Sequence, residues 1–135
     1  MSSTQEMLDS HPQAAGSVDL ELLAACIDAC LACGQACTAC ADACLAEEGV
    51  ADLVKCIRTD LDCADLCETT ASILSRRTGH DANLLRTVLE TCAQACNACA
   101  EECQSHAEMH DHCRICAEAC RACEEACKAL AASNT

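Results

Sequence analysis

The spacing of the cysteines constrains the fold of this chain more than any other feature. Its 18 cysteines form four runs whose steps alternate between three and four residues, with Asp60 standing where the second run skips one position. The runs are Cys26, Cys30, Cys33, Cys37, Cys40 and Cys44; Cys56, Cys63 and Cys67; Cys92, Cys96, Cys99 and Cys103; and Cys113, Cys116, Cys120, Cys123 and Cys127. Steps of three and four bring side chains to one face of an α-helix. Each run therefore predicts a helix with an inward stripe of thiols.

Short polar segments between the runs predict the turns. Glu47-Glu48-Gly49 ends the first helix, with Gly49 at the C′ position that glycine favours. Thr78-Gly79-His80-Asp81 separates the second and third helices and offers Asp81 as an N-cap, and the third turn falls between Ser105 and Asp111. Four helices joined by short loops predict an all-α fold, an antiparallel up-down-up-down four-helix bundle with a cysteine-lined core.

A separate segment precedes the bundle. Thr4 to His11 is predicted to form a short helix, stopped by Pro12 and Gly16, and Ser17 can cap the first long helix. We therefore expect an N-terminal segment over residues 1–16 and the four-helix bundle over residues 17–132. The N-terminus resembles no signal peptide, and no stretch reads as long and uncharged enough to cross a membrane. These features predict a cytoplasmic protein with no membrane partner.

Composition places the thiols in the interior and excludes one class of partner. The chain has no Phe, Trp or Tyr, and its abundant apolar residues are Ala, Leu and Cys. Since aromatic side chains supply no core volume, the cysteines must be part of the interior. The formal net charge of −14 repels phosphate backbones, and no aromatic ring is present to stack on bases. Nucleic-acid binding is therefore not expected.

Continuing each stripe beyond its cysteines gives the two ends of the bundle different chemistry. In an antiparallel arrangement five leucines gather at one end, namely Leu23, Leu74, Leu85, Leu89 and Leu130. At the other end the stripe carries Cys44, Leu53, His106 and Met109, with His110 and His112 close by. We expect one end to be sealed by leucine and the other to present soft and borderline metal ligands.

Metal binding accounts for the thiols better than disulfides or simple packing. Side chains at i,i+3 and i,i+4 have Cβ atoms about 5–6 Å apart, whereas a disulfide needs about 3.5–4.5 Å. A core of 18 small thiols, with leucine displaced to one end, would also be thin. Two thiolates about 4.5 Å apart, by contrast, can share one ion through metal–sulfur bonds of about 2.3 Å.

Charge and geometry favour Cu(I) among the soft metals. Thiolates select Cu(I), zinc and iron–sulfur clusters. Each Cu(I) cancels one thiolate charge, whereas a Cys₄ zinc site keeps a net negative charge that is costly in a dry core. Zinc knuckles and iron–sulfur motifs also have loop spacings that continuous helical stripes do not match. We expect multiple Cu(I) ions along the core, with zinc or cadmium sequestration and a thiol redox buffer as the alternatives.

The residue pattern does not indicate an enzyme. It contains no arrangement typical of a catalytic triad, a phosphate-binding loop or an acid–base pair of carboxylates. A di-iron centre in a bundle would need inward Glu and Glu-x-x-His motifs, and the inward positions are cysteine.

Two segments carry a specific resemblance to a known family. The first segment is Cys56-Ile57-Arg58-Thr59-Asp60-Leu61-Asp62-Cys63-Ala64-Asp65-Leu66-Cys67, and the second is His110-Asp111-His112-Cys113-Arg114-Ile115-Cys116-Ala117-Glu118-Ala119-Cys120. Both are similar to the bacterial four-helix-bundle copper storage proteins, and the likeness runs from Leu20 to Leu130. It implies Cu(I) bound by core cysteines, bundles assembled into homotetramers, and the cytosolic branch of the family. It also places Asp60, His106 and His110 among the non-cysteine groups towards the open end.

Four other side chains join the cysteines as candidate metal ligands: Asp60, His106, Met109 and His110. His106 and His110 flank the cysteine stripes and are expected to bind metal. Met109 can act as a thioether ligand or cap the core, and Asp60 can bind metal or hydrogen-bond a neighbouring helix. His112 and His80 are expected in loops.

Several apolar residues lie off the cysteine stripes of the first two helices. We expect them either to form an outward surface for assembly or to fill the flanks of the core. They are Ile27, Leu31, Leu45, Ile57 and Leu61.

Overall fold

Four long helices follow the four cysteine runs, as predicted. The structure is a computed structural model that describes residues 2–13 and 15–133, so Met1 and Ala14 of the predicted N-terminal segment lie outside the described residues. The elements are α1 (Thr4–Asp9), α2 (Leu20–Leu45), a 3₁₀ turn (Val50–Leu53), α3 (Val54–Leu74), α4 (Ala82–Gln104) and α5 (Asp111–Ala132). Helices α2 and α4 each pack against both α3 and α5. The predicted all-α four-helix bundle is confirmed.

Of the predicted helix caps, the structure confirms one and contradicts two. Asp81 caps α4, since its side chain accepts hydrogen bonds from the backbone amides of the next turn. Asp19, not Ser17, caps α2 in the same way, because the helix begins two residues later than predicted. Gly49 was wrongly assigned as a C′ glycine: α2 ends at Leu45, and Gly49 has a φ of −87° at the start of the 3₁₀ turn.

Cysteine fills the interior along almost the whole length of the bundle. All 18 cysteines are at most 1% exposed. Because the thiol is small, the helices can approach closely, and Gly34 marks such an approach between α2 and α3. A Cβ atom at Gly34 would lie 3.0 Å from Cγ of Glu68 and 3.6 Å from the carbonyl oxygen of Ala64. The sulfur atoms of all four helices are therefore held within a narrow column.

The short helix α1 covers part of the predicted outward surface. Leu8 of α1 is buried against the bundle, and Ile27 is buried with it, so Ile27 fills the flank of the core, the second of the two expected alternatives. Thr4 donates a hydrogen bond from its hydroxyl to Asp28 of α2, which fastens the other side of α1. Leu31, Leu45 and Leu61 are exposed, as expected of an outward apolar surface.

Helix α2 bears on the prediction that no segment of this chain could span a membrane. By length and composition, α2 (Leu20–Leu45) is apolar enough to cross a membrane, which contradicts the prediction that no stretch is. Its apolar character comes largely from alanine and from the six cysteines that it buries in the bundle core. A core helix of a bundle meets the same criterion as a membrane span, so the feature is explained by the cysteine column.

Candidate metal centre

The cysteine sulfurs form one connected network that crosses between helices. Pairs on different helices approach to 3.6 Å between Cys37 and Cys120, 3.6 Å between Cys30 and Cys123, and 3.7 Å between Cys67 and Cys96. Pairs along one helix are nearly as close, with 3.8 Å between Cys63 and its i+4 neighbour Cys67. The predicted pairing within a helix is therefore present, but the shortest contacts run across the bundle.

Groups of four sulfurs converge at several levels of the column. In each group the ligand atoms lie within 4.8 Å of one another, and all members are buried. Five such groups are Cys30, Cys92, Cys123 and Cys127; Cys33, Cys63, Cys67 and Cys96; Cys33, Cys37, Cys63 and Cys120; Cys37, Cys99, Cys116 and Cys120; and Cys40, Cys44, Cys56 and Cys113. The second, third and fourth of these groups are linked by shared members. Adjacent ions could therefore share bridging thiolates along the core.

Burial and mutual hydrogen bonding set the protonation of these thiols. Burial raises the pKa of Cys44 to about 11, and hydrogen bonds with Cys116 and Cys120 hold the pKa of Cys37 far above its usual range. Hydrogen bonds with Cys127 and Cys30 lower the pKa of Cys26 to about 5. A soft cation that enters the column binds the thiolate form and so displaces protons from these thiols.

Asp60 lies inside the column, as its place in the cysteine stripe predicts. It is 0% exposed, and one carboxyl oxygen accepts hydrogen bonds from the thiols of Cys99 at 3.1 Å and of Cys103 and Cys116 at 3.3 Å. Burial and the nearby charge of Cys99 raise the pKa of Asp60 to about 9. The carboxyl group is therefore mostly neutral at pH 7 when the sulfurs around it carry no metal.

His106 and His110 lie at the end of the bundle where α2 and α4 finish, which we call the mouth. His106 Nε2 is 3.0 Å from Oε2 of Glu102, and His110 Nδ1 is 3.1 Å from Oε2 of Glu47. Together with the turn after α2 they line a cavity of about 460 Å³. Met109 also lines this cavity but is 81% exposed. It lies on the rim and does not cap the core.

His112 is a candidate metal ligand that the sequence analysis did not include. It lies in the first turn of α5 and not in a loop. Its Nδ1 is 3.4 Å from the sulfur of Cys40 and 3.6 Å from that of Cys113, while its Nε2 is 2.8 Å from Oε2 of Glu47. Burial lowers the pKa of His112, but the contacts with Cys40 and Glu47 outweigh that effect and leave it above the usual value. The signal in the sequence was its place four residues before Cys116, on the cysteine face.

The opposite end of the bundle is closed by hydrocarbon. Leu23, Leu74, Leu85, Leu89 and Leu130 are all buried, as predicted from the continuation of the stripe. His80 lies in the loop before α4, where its Nδ1 is 3.0 Å from the carbonyl oxygen of Arg77. This imidazole therefore has a structural partner far from the mouth.

Comparison with known proteins gives a family match over nearly the whole bundle. The family model described as Csp, copper storage protein, matches residues 19–132. The matched region begins with the N-cap of α2 and ends with the last residue of α5.

Three solved structures are similar in both sequence and fold. The copper storage protein Ccsp from Streptomyces lividans, loaded with 10 copper equivalents, is 60% identical with a TM-score of 0.95, over 96% of this chain and 98% of that one. A cytosolic copper storage protein from the same organism, with five coppers, is 63% identical with a TM-score of 0.84, over 85% and 96% of the two chains. Cu(I)-bound BsCsp3 is 39% identical with a TM-score of 0.71, over 79% and 95%.

Proposed function

The chain belongs to the copper storage protein family, and we propose that it stores many Cu(I) ions on the thiolates of its bundle core. The observation that carries this proposal is the buried, connected column of 18 free cysteines. Sulfurs separated by 3.6 to 3.9 Å need only small movements to reach the roughly 4.5 Å span of a sulfur–copper–sulfur bridge. The relatives solved with copper bound support the same chemistry.

Charge determines how much copper the column should hold. Each cuprous ion cancels one thiolate, so loading near one ion per cysteine leaves the dry core close to neutral. Anaerobic titration against a Cu(I) chelator should therefore saturate near the cysteine count of 18. Saturation at about four ions with tetrahedral spectroscopic signatures would instead indicate Cys₄ sites typical of zinc.

The same titration tests the competing functions. The groups of four sulfurs within 4.8 Å also suit zinc or cadmium, which makes general soft-metal sequestration the second candidate. Competition between Zn(II) and Cu(I) for the reduced protein, followed by controlled oxidation, separates both from a thiol redox buffer. The family is one of copper storage, and we propose no catalytic role for this chain.

The ligand set proposed for copper extends beyond the thiols. Asp60 lies within hydrogen-bonding distance of three sulfurs, and His106 and His110 line the mouth cavity. Met109 is included as a thioether on the exposed rim, with a smaller contribution than the imidazoles. Imidazole and thioether are neutral ligands that exchange Cu(I) more readily than a buried thiolate bridge, so we place uptake and release of copper at the mouth.

Assembly and cellular location complete the proposal. The exposed Leu31, Leu45 and Leu61 supply apolar surface on α2 and α3 for a homotetramer. Sedimentation of the apo and copper-loaded protein tests this, and a monomer in both states would contradict it. A core of 18 free cysteines suits a cytoplasmic location, as does the cytosolic relative from Streptomyces lividans.

A further inference from the structure

Gly34 lies in the interior of α2, where glycine is among the least favourable residues for a helix. Its backbone is helical, since positive φ angles occur only at Gly16 and Gly79 among the glycines. No turn therefore requires a glycine at this position, and the missing side chain must serve the packing of α2. We propose that Gly34 is a positioning residue for copper, which holds α2 and α3 close enough for Cys33 and Cys63 to share cuprous ions. The inference rests on the proposed storage function.

The surroundings of Gly34 show that α3 lies directly against it. A Cβ atom at Gly34 would lie 3.0 Å from Cγ of Glu68 and 3.6 Å from the backbone carbonyl oxygen of Ala64. Glu68 is exposed, so its side chain is free to turn away, but the backbone at Ala64 belongs to the helix itself. A side chain larger than that of alanine at Gly34 would therefore have to move α3.

The flank of the bundle between α2 and α3 is narrowest at this level. The positions one heptad away on either side are Ile27 and Ala41 on α2, and Ile57 and Ala71 on α3. Because the two helices are antiparallel, an isoleucine lies level with an alanine at each outer position, whereas Gly34 lies level with Ala64 in the middle. The residue pattern thus brings the two backbones closest together halfway along the sulfur column.

Cys33 and Cys63 connect the two helices at the level of Gly34. Cys33 is the chain neighbour of Gly34, and its sulfur is 3.9 Å from that of Cys63. Both cysteines belong to the same two groups of four sulfurs described above. The spacing between α2 and α3 therefore affects two candidate copper sites at once.

The range of helix spacings shows why a small residue matters here. Packed helix axes lie about 8 to 10 Å apart, depending on the side chains at the contact, so a leucine in place of Gly34 would widen the spacing by up to about 2 Å. The separation of the Cys33 and Cys63 sulfurs would then rise from 3.9 Å to about 6 Å. Two sulfurs bound to one ion are at most about 4.6 Å apart, which is twice the metal–sulfur bond length. The widened pair could no longer share an ion.

Gly34→Leu tests the spacing through the copper capacity. Leucine favours a helix more than glycine does, so the variant does not weaken α2 itself. Anaerobic titration against a Cu(I) chelator should show about two ions fewer per chain than in the parent protein, one from each of the two groups that share Cys33 and Cys63. Gly34→Ala should keep the parent capacity, because Glu68 turns away from the added methyl group and the Ala64 carbonyl oxygen stays at an ordinary contact distance.

Two controls separate the spacing from a general loss of stability. Ala39→Leu adds bulk to the exposed face of α2, away from α3, and Leu74→Ala weakens the bundle at its sealed end. Both should bind as much copper as the parent protein. If circular dichroism shows that apo Gly34→Leu does not fold, Gly34→Val provides the test with a shorter side chain, and it should lose the same ions.

The positions of the missing ions distinguish a positioning role from a purely structural one. Anomalous scattering at the copper edge, from crystals of the loaded variant, should show no ion between Cys33 and Cys63, while ions between α4 and α5 remain. A variant that is only less stable would keep every ion in place. Full capacity, with copper between Cys33 and Cys63, in folded Gly34→Leu or Gly34→Val would overturn the inference. A parent protein that binds few cuprous ions would instead contradict the storage proposal.

Discussion

The two ends of the bundle are built from the same helical stripes but have opposite chemistry. At the leucine end the stripes continue as buried hydrocarbon, whereas at the mouth they continue as imidazoles paired with carboxylates. The five buried leucines carry no atom that can bind a cation. The mouth offers neutral nitrogen ligands, an acidic surrounding and a cavity that reaches solvent. A helical stripe therefore determines which residues face inwards, and its sequence at each end determines whether that interior is open.

This contrast implies a division of roles that experiments can separate. Changes at the leucine end should alter the stability of the fold and leave copper exchange unchanged. Changes at the mouth should alter exchange and leave stability almost unchanged. Asp60, which lies in the column between the two, should affect stability through its protonation.

The largest effect is expected for Asp60. Its pKa of about 9 in the folded apo protein lies far above the ordinary value of 3.8, so the folded state holds a proton that the unfolded state releases. The resulting stability is fully present below about pH 4 and is lost as pH rises towards 9, by roughly 1.4 kcal/mol per pH unit. Urea unfolding of the reduced apo protein from pH 5 to pH 8 should show a loss of about 4 kcal/mol.

Asp60→Asn is the matched variant for that measurement. The amide keeps the shape of the side chain but has no proton to lose, so most of this pH dependence should disappear. An unchanged pH slope in Asp60→Asn would show that the cysteines, rather than Asp60, dominate the titration of the core.

Leu74→Ala tests the sealed end. Leu74 belongs to the cluster of five leucines and is 0% exposed. Its truncation leaves a cavity that the surrounding helices cannot fully close. The free energy of unfolding of the apo protein should fall by about 3 kcal/mol. Stopped-flow uptake from a Cu(I) donor should stay within about twofold of the parent rate. A large change in uptake would mean that copper also passes the leucine end.

The double variant His106→Ala with His110→Ala tests the mouth. Loss of both imidazoles removes the exchangeable ligands, so uptake should slow about tenfold, which corresponds to roughly 1.4 kcal/mol in the barrier. Capacity should not change, because the thiol column is untouched. Equal slowing by polar substitutions at Leu74 and Leu85 would place the port at the other end.

Met109→Ala should have the smallest effect. Because the side chain is 81% exposed on the rim, its removal should change the free energy of unfolding by less than about 0.5 kcal/mol. Uptake measured by the same stopped-flow assay should change by less than about twofold. A tenfold loss would show that the thioether takes part in exchange despite its position outside the column.

The sequence predicted the fold and the column because both follow from a single periodicity. Steps of three and four determine a helical face without any knowledge of neighbouring helices, and Asp60 and the five leucines were found by extending that face. The cap of α2 was placed two residues too early, since Ser17 and Asp19 are both good N-caps and only the packing of the helix start distinguishes them.

The periodicity puts His112 near the cysteine face of α5, but neither Glu47 nor the contacts of His112 with other helices could be found from it. Glu47 lies in the turn after α2, and the path of that turn depends on how α2 and α5 pack against each other. His112 lies beside the cysteine stripe of α5, so its contact with Cys40 depends on the distance between the two helices. Such pairs between elements are set by tertiary structure, which a one-dimensional pattern does not contain.

The close spacing of the sulfurs means that the folded protein already holds its metal ligands near the positions that Cu(I) requires. A sulfur–sulfur distance of 3.6 to 3.9 Å is within about 1 Å of that needed around a cuprous ion. Loading the column then exchanges thiol protons for Cu(I) ions while the sulfurs move only slightly. We therefore expect the helices to keep nearly the same separation in the empty and the loaded protein.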